Sequence, residues 1–264
     1  MCDTIETNAP KVPLPMTRTK SFMFGWVFCA GLAVSACTPA VPGAEFNDPY
    51  ENTNRNIHEF NKGLDRFALR SAGQVTSAAP EIVTIPIANF ADNVGLPGMI
   101  VNGLLQGDIG GAATNTMRFV LNTTVGFGGL FDPAGQIGLI EESTDFGETL
   151  AVWGAPEGAY IELPVLGPST ERDAIGTLVD FVIDPLSRYG TADQVAAATT
   201  ASVLDIAISR GRFGDTFDSV LYDSADSYAQ ARLLYLQSRR FALGIEAEST
   251  DIDPFIDPFQ DPFQ

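Results

Sequence analysis

A chain of 264 residues with 33 acidic and 15 basic side chains has a formal net charge of −18. That charge excludes nucleic acid as a partner, because neutralising phosphates takes clusters of Lys and Arg. Hydrophobic residues, at 45%, support a sizeable core, yet only 18% of residues are charged, below the quarter usual for a soluble domain.

The N-terminal segment has a composition of its own. In MTRTKSFMFGWVFCAGLAVSAC, residues 16–37, Arg18 and Lys20 precede an uncharged apolar run that ends in small residues before Cys37. These are the parts of a secretory signal, and the run is shorter than the roughly 20 residues of a membrane span. VSAC, ending at Cys37, resembles a bacterial lipobox, which implies cleavage before Cys37 and a diacylglycerol on its thiol. Thr38 at the next position implies sorting to the outer membrane. The segment before Met16 carries Asp3 and Glu6 and does not look like a signal, so translation is expected to start at Met16, within a signal region 1–36. Cys2 and Cys29 are then removed, and the mature chain is left without free thiols, disulfides or a metal site.

Residues 37–46 read as a lipidated Pro/Gly tether and 47–240 as a helical domain. Asp48 can cap a helix, Pro49 suits its first position, and Glu51 stands where it could reach back to the cap. Ile57, Phe60, Leu64 and Phe67 follow at helical spacing. Arg55, with Asp48 and Glu51, reads as structural, a tie from cap to a neighbouring helix. His58, the one histidine, reads as a surface or boundary residue. Pro80 and Pro86 are expected to bound a link.

From 82 to 140 the only charges are Asp92, Asp108, Arg118 and Asp132, while glycine and proline recur too often for a spanning helix. Short helices are predicted near 99–106 and 109–121. Either something other than water covers this segment or it is a well-buried core. Asp145 is expected to cap a short helix ending at Gly154, and GAYIELPVLGP reads as extended. Ile175, Leu178, Val179 and Val182 mark one face of the next helix, with a stop at Pro185. Further helices are predicted over 192–210 and 215–240. Few stretches alternate with period two, so the fold class is all-α. The acidic tail, 241–264, repeats Asp-Pro-Phe three times and is expected to be disordered.

Catalytic chemistry is not expected. There is no Gly-x-Ser-x-Gly elbow and no P-loop, and a Ser-His-Asp triad would have to use His58. The DFG at 145–147 lacks the other kinase elements. GFGG at 126–129 lacks the third glycine of a dinucleotide fingerprint, since Phe131 stands there.

Five stretches carry a family resemblance. They are DPYENTNR with Phe60-Asn61, NFADNVGLPGMIVNGLLQGD (89–108), RFVLNTTVGFGGLFDPAG (118–135), DFGETLAVWGAPEGAYIELPVLGP (145–168) and RDAIGTLVD (172–180). In this order they resemble the MlaA (VacJ) lipoproteins. The Asp-Pro-Phe tail is no part of that pattern. The resemblance implies a ring-shaped helical lipoprotein embedded in the periplasmic leaflet of the outer membrane around an amphipathic channel. It implies removal of mislocalised phospholipid from the outer leaflet and its transfer to an MlaC-like periplasmic carrier, beside a porin trimer. Phospholipid is the ligand and no cofactor is expected. By motif position, Asn89, Phe90, Asn93, Asn122, Thr123, Thr124, Phe127, Gly128, Gly129, Leu130 and Phe131 are assigned to the wall or gate of the passage. A tethering lipoprotein that moves no lipid, and a phospholipase, are the alternatives.

Overall fold

The computed structural model describes residues 46–245. The signal region, Cys37, the tether up to residue 45 and the three Asp-Pro-Phe repeats lie outside the described residues. Helix α1 (Glu51–Leu64) continues through a π-helical turn (Asp65–Leu69) into α2 (Arg70–Ser77). The expected cap at Asp48 is corrected, because α1 starts after Tyr50 with no side-chain capping bond. Asp48 instead accepts from Asn54, the Tyr228 hydroxyl and Arg232. Three converging donors, one of them charged, outweigh a single N–H at a helix end. Glu51 makes no reach-back bond either; it pairs with Arg55 one turn along, at 2.8 Å. The same Arg55 ties α1 to a distant helix start, donating to both oxygens of Asp226 at 3.0 and 2.9 Å.

After α2 comes α3 (Glu81–Gln106), a helix of 26 residues that contains Pro86 and Pro97. The expected link at Pro86 and separate helix at 99–106 are therefore corrected to one element. Each proline removes a backbone hydrogen bond, but α3 packs against several neighbours, and tertiary contact overrides local propensity. It ends at Gly107, whose φ of 79° gives the left-handed cap. Helix α4 (Ile109–Thr124) is capped by Asp108, and the short α5 (Pro133–Gln136) by Asp132. Asp145 accepts the Glu148 N–H at the start of α6 (Phe146–Val152). The extended stretch folds as an antiparallel hairpin, β1 (Tyr160–Leu163) and β2 (Gly167–Thr170), with Tyr160 opposite Thr170.

Helices α7 (Glu171–Ile183), α8 (Pro185–Tyr189) and α9 (Ala192–Arg212) follow. The single helix expected over 215–240 is two, α10 (Gly214–Leu221) and α11 (Ser227–Ala242). Asp226 caps the second by accepting from Ala229, and that start signal divides the pattern. Contacts among these elements close on themselves. Helix α1 meets β1, β2 meets α7, α7 packs on α6, α6 on α3, α3 on α9, and α9 on α2, which continues α1. The architecture is the expected all-α one, a closed helical circuit with one hairpin in it.

Burial runs against the rule for soluble domains. Tyr160, Tyr228 and Leu236 form a small apolar cluster. Asn54, His58, Asp65, Asn102, Asn115, Arg118, Glu162, Arg172 and Arg210 are all buried. Large apolar side chains lie outside: Phe67 is 85% exposed, Phe181 78% and Phe127 76%. Phe60, Leu178 and Val182, on faces picked out by helical spacing, are exposed too. So are Ile82, Leu104, Ile109, Met117 and Val120, so the segment 82–140 is not a well-buried core. No described helix is long and apolar enough to cross a membrane.

Candidate functional site

The glycine-rich loop that follows α4 is a tightly bonded knob. Phe127, Gly128 and Gly129 adopt successive left-handed φ values of 55°, 77° and 96°, a conformation that strains a bulky side chain such as Phe127. The turn is closed by Gly128 N–H donating to the Thr123 carbonyl at 2.9 Å and Gly129 N–H to the Asn122 carbonyl at 2.8 Å. Asn122 donates to Asp132 at 2.8 Å and accepts from the Ala134 N–H at 3.1 Å. Asn93 donates to the Thr123 hydroxyl, Asn89 to the Leu130 carbonyl, and Thr124 to the Val120 carbonyl. Burial opposes ionisation of Asp132, but the Gly135 N–H, Asn122 and Arg118 together hold its carboxyl below the usual range.

Of the polar residues assigned to the passage, Asn89, Asn93, Asn122 and Thr123 bond to or within the loop, whereas Thr124 bonds back inside α4. The loop's apolar residues face outward: Phe127, Leu130 and Phe131 are exposed, with the two phenyl rings edge to face at 6.1 Å. Phe90 and Leu130 come together in a shallow apolar hollow of about 370 Å³, completed by α9 residues such as Ala197 and Leu204. Gly129 packs its backbone on Asn93; a Cβ there would lie 2.6 Å from Asn93 Nδ2.

A different constellation, not anticipated from the sequence, lies where α1, the hairpin, α9, α10 and α11 face one another. A cavity of about 400 Å³ has His58, Asn61, Lys62, Glu162 and Arg210 among its polar lining, and Leu69, Val165, Ile206, Phe217, Val220 and Leu234 among its apolar lining. Beside it is a polar cleft of about 530 Å³, with Arg55, Glu59, Arg66 and Ser227 on its walls. The two share His58, Lys62 and Leu221. A third cleft, about 520 Å³, opens between α3, α7, α8 and α9 over Gly95, Gly98, Met99 and Asp180. Asp180 accepts from Asn102 and from the Phe146 N–H, and burial pushes its carboxyl up.

His58, expected near the surface, is 2% exposed and divides the first two cavities. Its Nδ1 lies 3.3 Å from Glu162 Oε1 and its Nε2 3.1 Å from Ser227 Oγ. Glu162 in turn accepts from the Tyr160 hydroxyl at 2.6 Å and from Asn61. The Ser–His–Glu order matches a hydrolase triad in outline, but its surroundings do not suit acyl transfer. The Ala229 N–H beside Ser227 is bonded to Asp226, Lys62 Nζ lies 3.1 Å from the Ser227 oxygen, and Ser227 is 7% exposed. A nucleophile needs free donors aimed at the developing oxyanion. Among the described residues no group of His, Cys, Asp and Glu could hold a metal ion.

Comparison with known proteins follows the same outline. The MlaA lipoprotein family matches residues 46–242, nearly the whole described span. The chain belongs to the MlaA lipoprotein family. Similar members include the intermembrane phospholipid transport system lipoprotein MlaA of Escherichia coli (strain K12), 32% identical over 200 residues, covering 74% of this chain and 78% of that protein. An uncharacterised protein of Rickettsia bellii is 33% identical over 197 residues, 74% of this chain and 76% of its own. A solved structure from work on the structural basis for maintenance of bacterial outer membrane lipid asymmetry matches with a TM-score of 0.64 and 32% identity. It spans 74% of this chain and 98% of that chain. The MlaA match includes the loop, α3 and the cavity-lining elements alike.

Proposed function

We propose that this chain is an outer-membrane lipoprotein that removes mislocalised phospholipid from the outer leaflet and hands it to a periplasmic, MlaC-like carrier. It is anchored through acylated Cys37, faces the periplasm and sits beside a porin trimer. The observation that carries the reading is the pair of neighbouring cavities, one polar and one amphipathic, on either side of His58 in a chain whose large apolar side chains point outward. A protein lying at leaflet depth needs an apolar exterior and helices that satisfy their own backbone bonds. A passing phospholipid needs polar surroundings for its headgroup and apolar ones for its chains. Phe127, Leu130 and Phe131 then face lipid, while Asn89, Asn93, Asn122 and Thr123 keep the loop rigid. No covalent step is needed, so the chain is not an enzyme and uses no cofactor.

Deleting the gene and labelling the outer leaflet of intact cells tests the reading. Outer-leaflet phospholipid should rise, and an unchanged leaflet would defeat it. The purified protein should carry intact phospholipid. A tether would carry none, and release of lysolipid would instead identify a phospholipase.

A further inference from the structure

The polar cleft carries a local charge that the chain as a whole does not. Arg55, Lys62 and Arg66 line it together with the acids Glu59 and Asp226, in a protein of net charge −18. Both acids are already engaged. Asp226 takes the Arg55 guanidinium on both oxygens, and Glu59, 68% exposed in its side chain, lies 3.2 Å from Lys62 Nζ. Arg66 makes no ion pair among the described residues; its guanidinium sits over the Tyr222 ring, 5.3 Å from the centroid. Lys62 reaches past His58 to the Ser227 hydroxyl at 3.1 Å and lines the amphipathic cavity as well.

We propose that Lys62 and Arg66 select amphiphiles whose phosphate headgroup carries a net negative charge, holding the phosphate at the polar cleft while the acyl chains lie toward the apolar side, where Lys62 also lines the neighbouring cavity. The proposal rests on the lipid-passage reading. An ammonium and a guanidinium fork are complementary to phosphate oxygens. A zwitterionic headgroup adds an ammonium to a cleft where three cations already face two carboxylates, whereas a net-anionic diester offsets the surplus cation. Specificity of this kind is a difference of affinities set as much by the unfavourable contact as by the favourable one.

The test uses the purified full-length lipoprotein in detergent, incubated with vesicles of equimolar phosphatidylglycerol and phosphatidylethanolamine, re-isolated, and analysed for bound lipid by mass spectrometry. The wild type should hold phosphatidylglycerol in several-fold excess. Lys62→Gln with Arg66→Gln should lower that ratio by about tenfold, the size expected for losing charge-assisted bonds to one headgroup. Arg66→Gln alone, at an exposed position, should lower it part of the way and keeps the test open if the double variant misfolds. Lipid bound at the vesicle ratio by the wild type, or a ratio unchanged in the variants, overturns the selection while leaving the passage reading standing. Failure of the wild type to bind any lipid defeats the passage reading itself. Glycerophosphoglycerol, the same anionic diester headgroup without chains, should not displace the lipid; if it does, the cleft is a site for soluble phosphate and the proposal fails.

Discussion

The loop after α4 and the cavities around His58 solve opposite problems. In the loop, partners are close in sequence: Asn122 bonds Asp132 and the Ala134 N–H, ten and twelve residues on, and the glycines accept φ values other residues resist. Around His58 the partners come from far away, Glu162 at a separation of 104 residues and Ser227 at 169. The first region is a local shape that exposes apolar side chains. The second is a long-range assembly that buries polar ones. A chain that lies in lipid can afford the first only if the second gives its interior a specific set of hydrogen bonds, and buried polar networks are stable only when their members are satisfied.

The long-range assembly is most vulnerable at Asp65. Arg210 donates to both of its oxygens, at 2.7 and 3.1 Å, and both residues are buried. Arg210→Ala leaves a buried carboxylate with the Tyr222 hydroxyl as its remaining close partner and should destabilise the protein by about 3–5 kcal/mol in chemical denaturation. A loss below 1 kcal/mol would mean that water already screens the pair. The loop answers a smaller perturbation. A Cβ at Gly126 would lie 2.3 Å from the Phe131 carbonyl oxygen and 2.4 Å from that of Asn122, both backbone atoms. Gly126→Ala should therefore cost about 3 kcal/mol, the upper end of the overpacking range, because neither backbone oxygen can move aside freely. Gly128→Ala, with open space around its Cβ but a φ of 77°, should cost about 1–2 kcal/mol from conformation alone. Equal effects at the two glycines would contradict the close approach at Gly126.

Acid acts on both regions, since Asp132 of the loop is held below the usual range as well. Burial works against the Asp65 carboxylate, yet Arg210 and Tyr222 hold its pKa below the usual value; Asp173 is lowered in the same manner by Arg239 and Tyr235. A group depressed in the folded state contributes stability above its unfolded pKa of about 3.9, and that contribution is lost as pH falls through the folded value. The melting temperature should thus fall steeply below about pH 4. Replacing Asp65 by Asn should flatten that slope, and an unaltered slope would assign acid sensitivity elsewhere.

How much of this was legible follows from the same contrast. The starts and stops of α4, α7 and α9 are local signals, and Asp108, Pro185 and the periodic apolar positions reveal them. The continuity of α3 was not legible, since packing against α4, α6 and α9 overrides the two prolines. The stripe containing Phe60 and Phe67 was legible as a face but not in its direction, because periodicity reports a face and the assumption of water outside supplies the direction. Motif position assigns Asn89, Asn93 and Asn122 to a passage, while the bonds that make them struts of the loop appear only in the structure. His58, Lys62 and Glu162 gave no signal, since a constellation assembled across more than a hundred residues has no spacing to read.

The smallest expected effect on stability is also the sharpest test of what the loop is for. Phe127 is 76% exposed, and its side chain touches the ring of Phe131 at the edge of the knob. Phe127→Ser removes apolar surface that folding does not bury, so unfolding free energy should change by no more than about 0.5 kcal/mol, the range of ordinary surface substitutions. Were the loop an inner wall supporting the fold, the loss would instead resemble that of a core phenylalanine, about 3–5 kcal/mol. If the exposed rings face lipid, the same variant should bind less tightly to vesicles when assayed without the acyl anchor, as the Cys37→Ala form. Unchanged binding with unchanged stability would strip Phe127 of both roles and leave the strained φ of 55° without a purpose at that position.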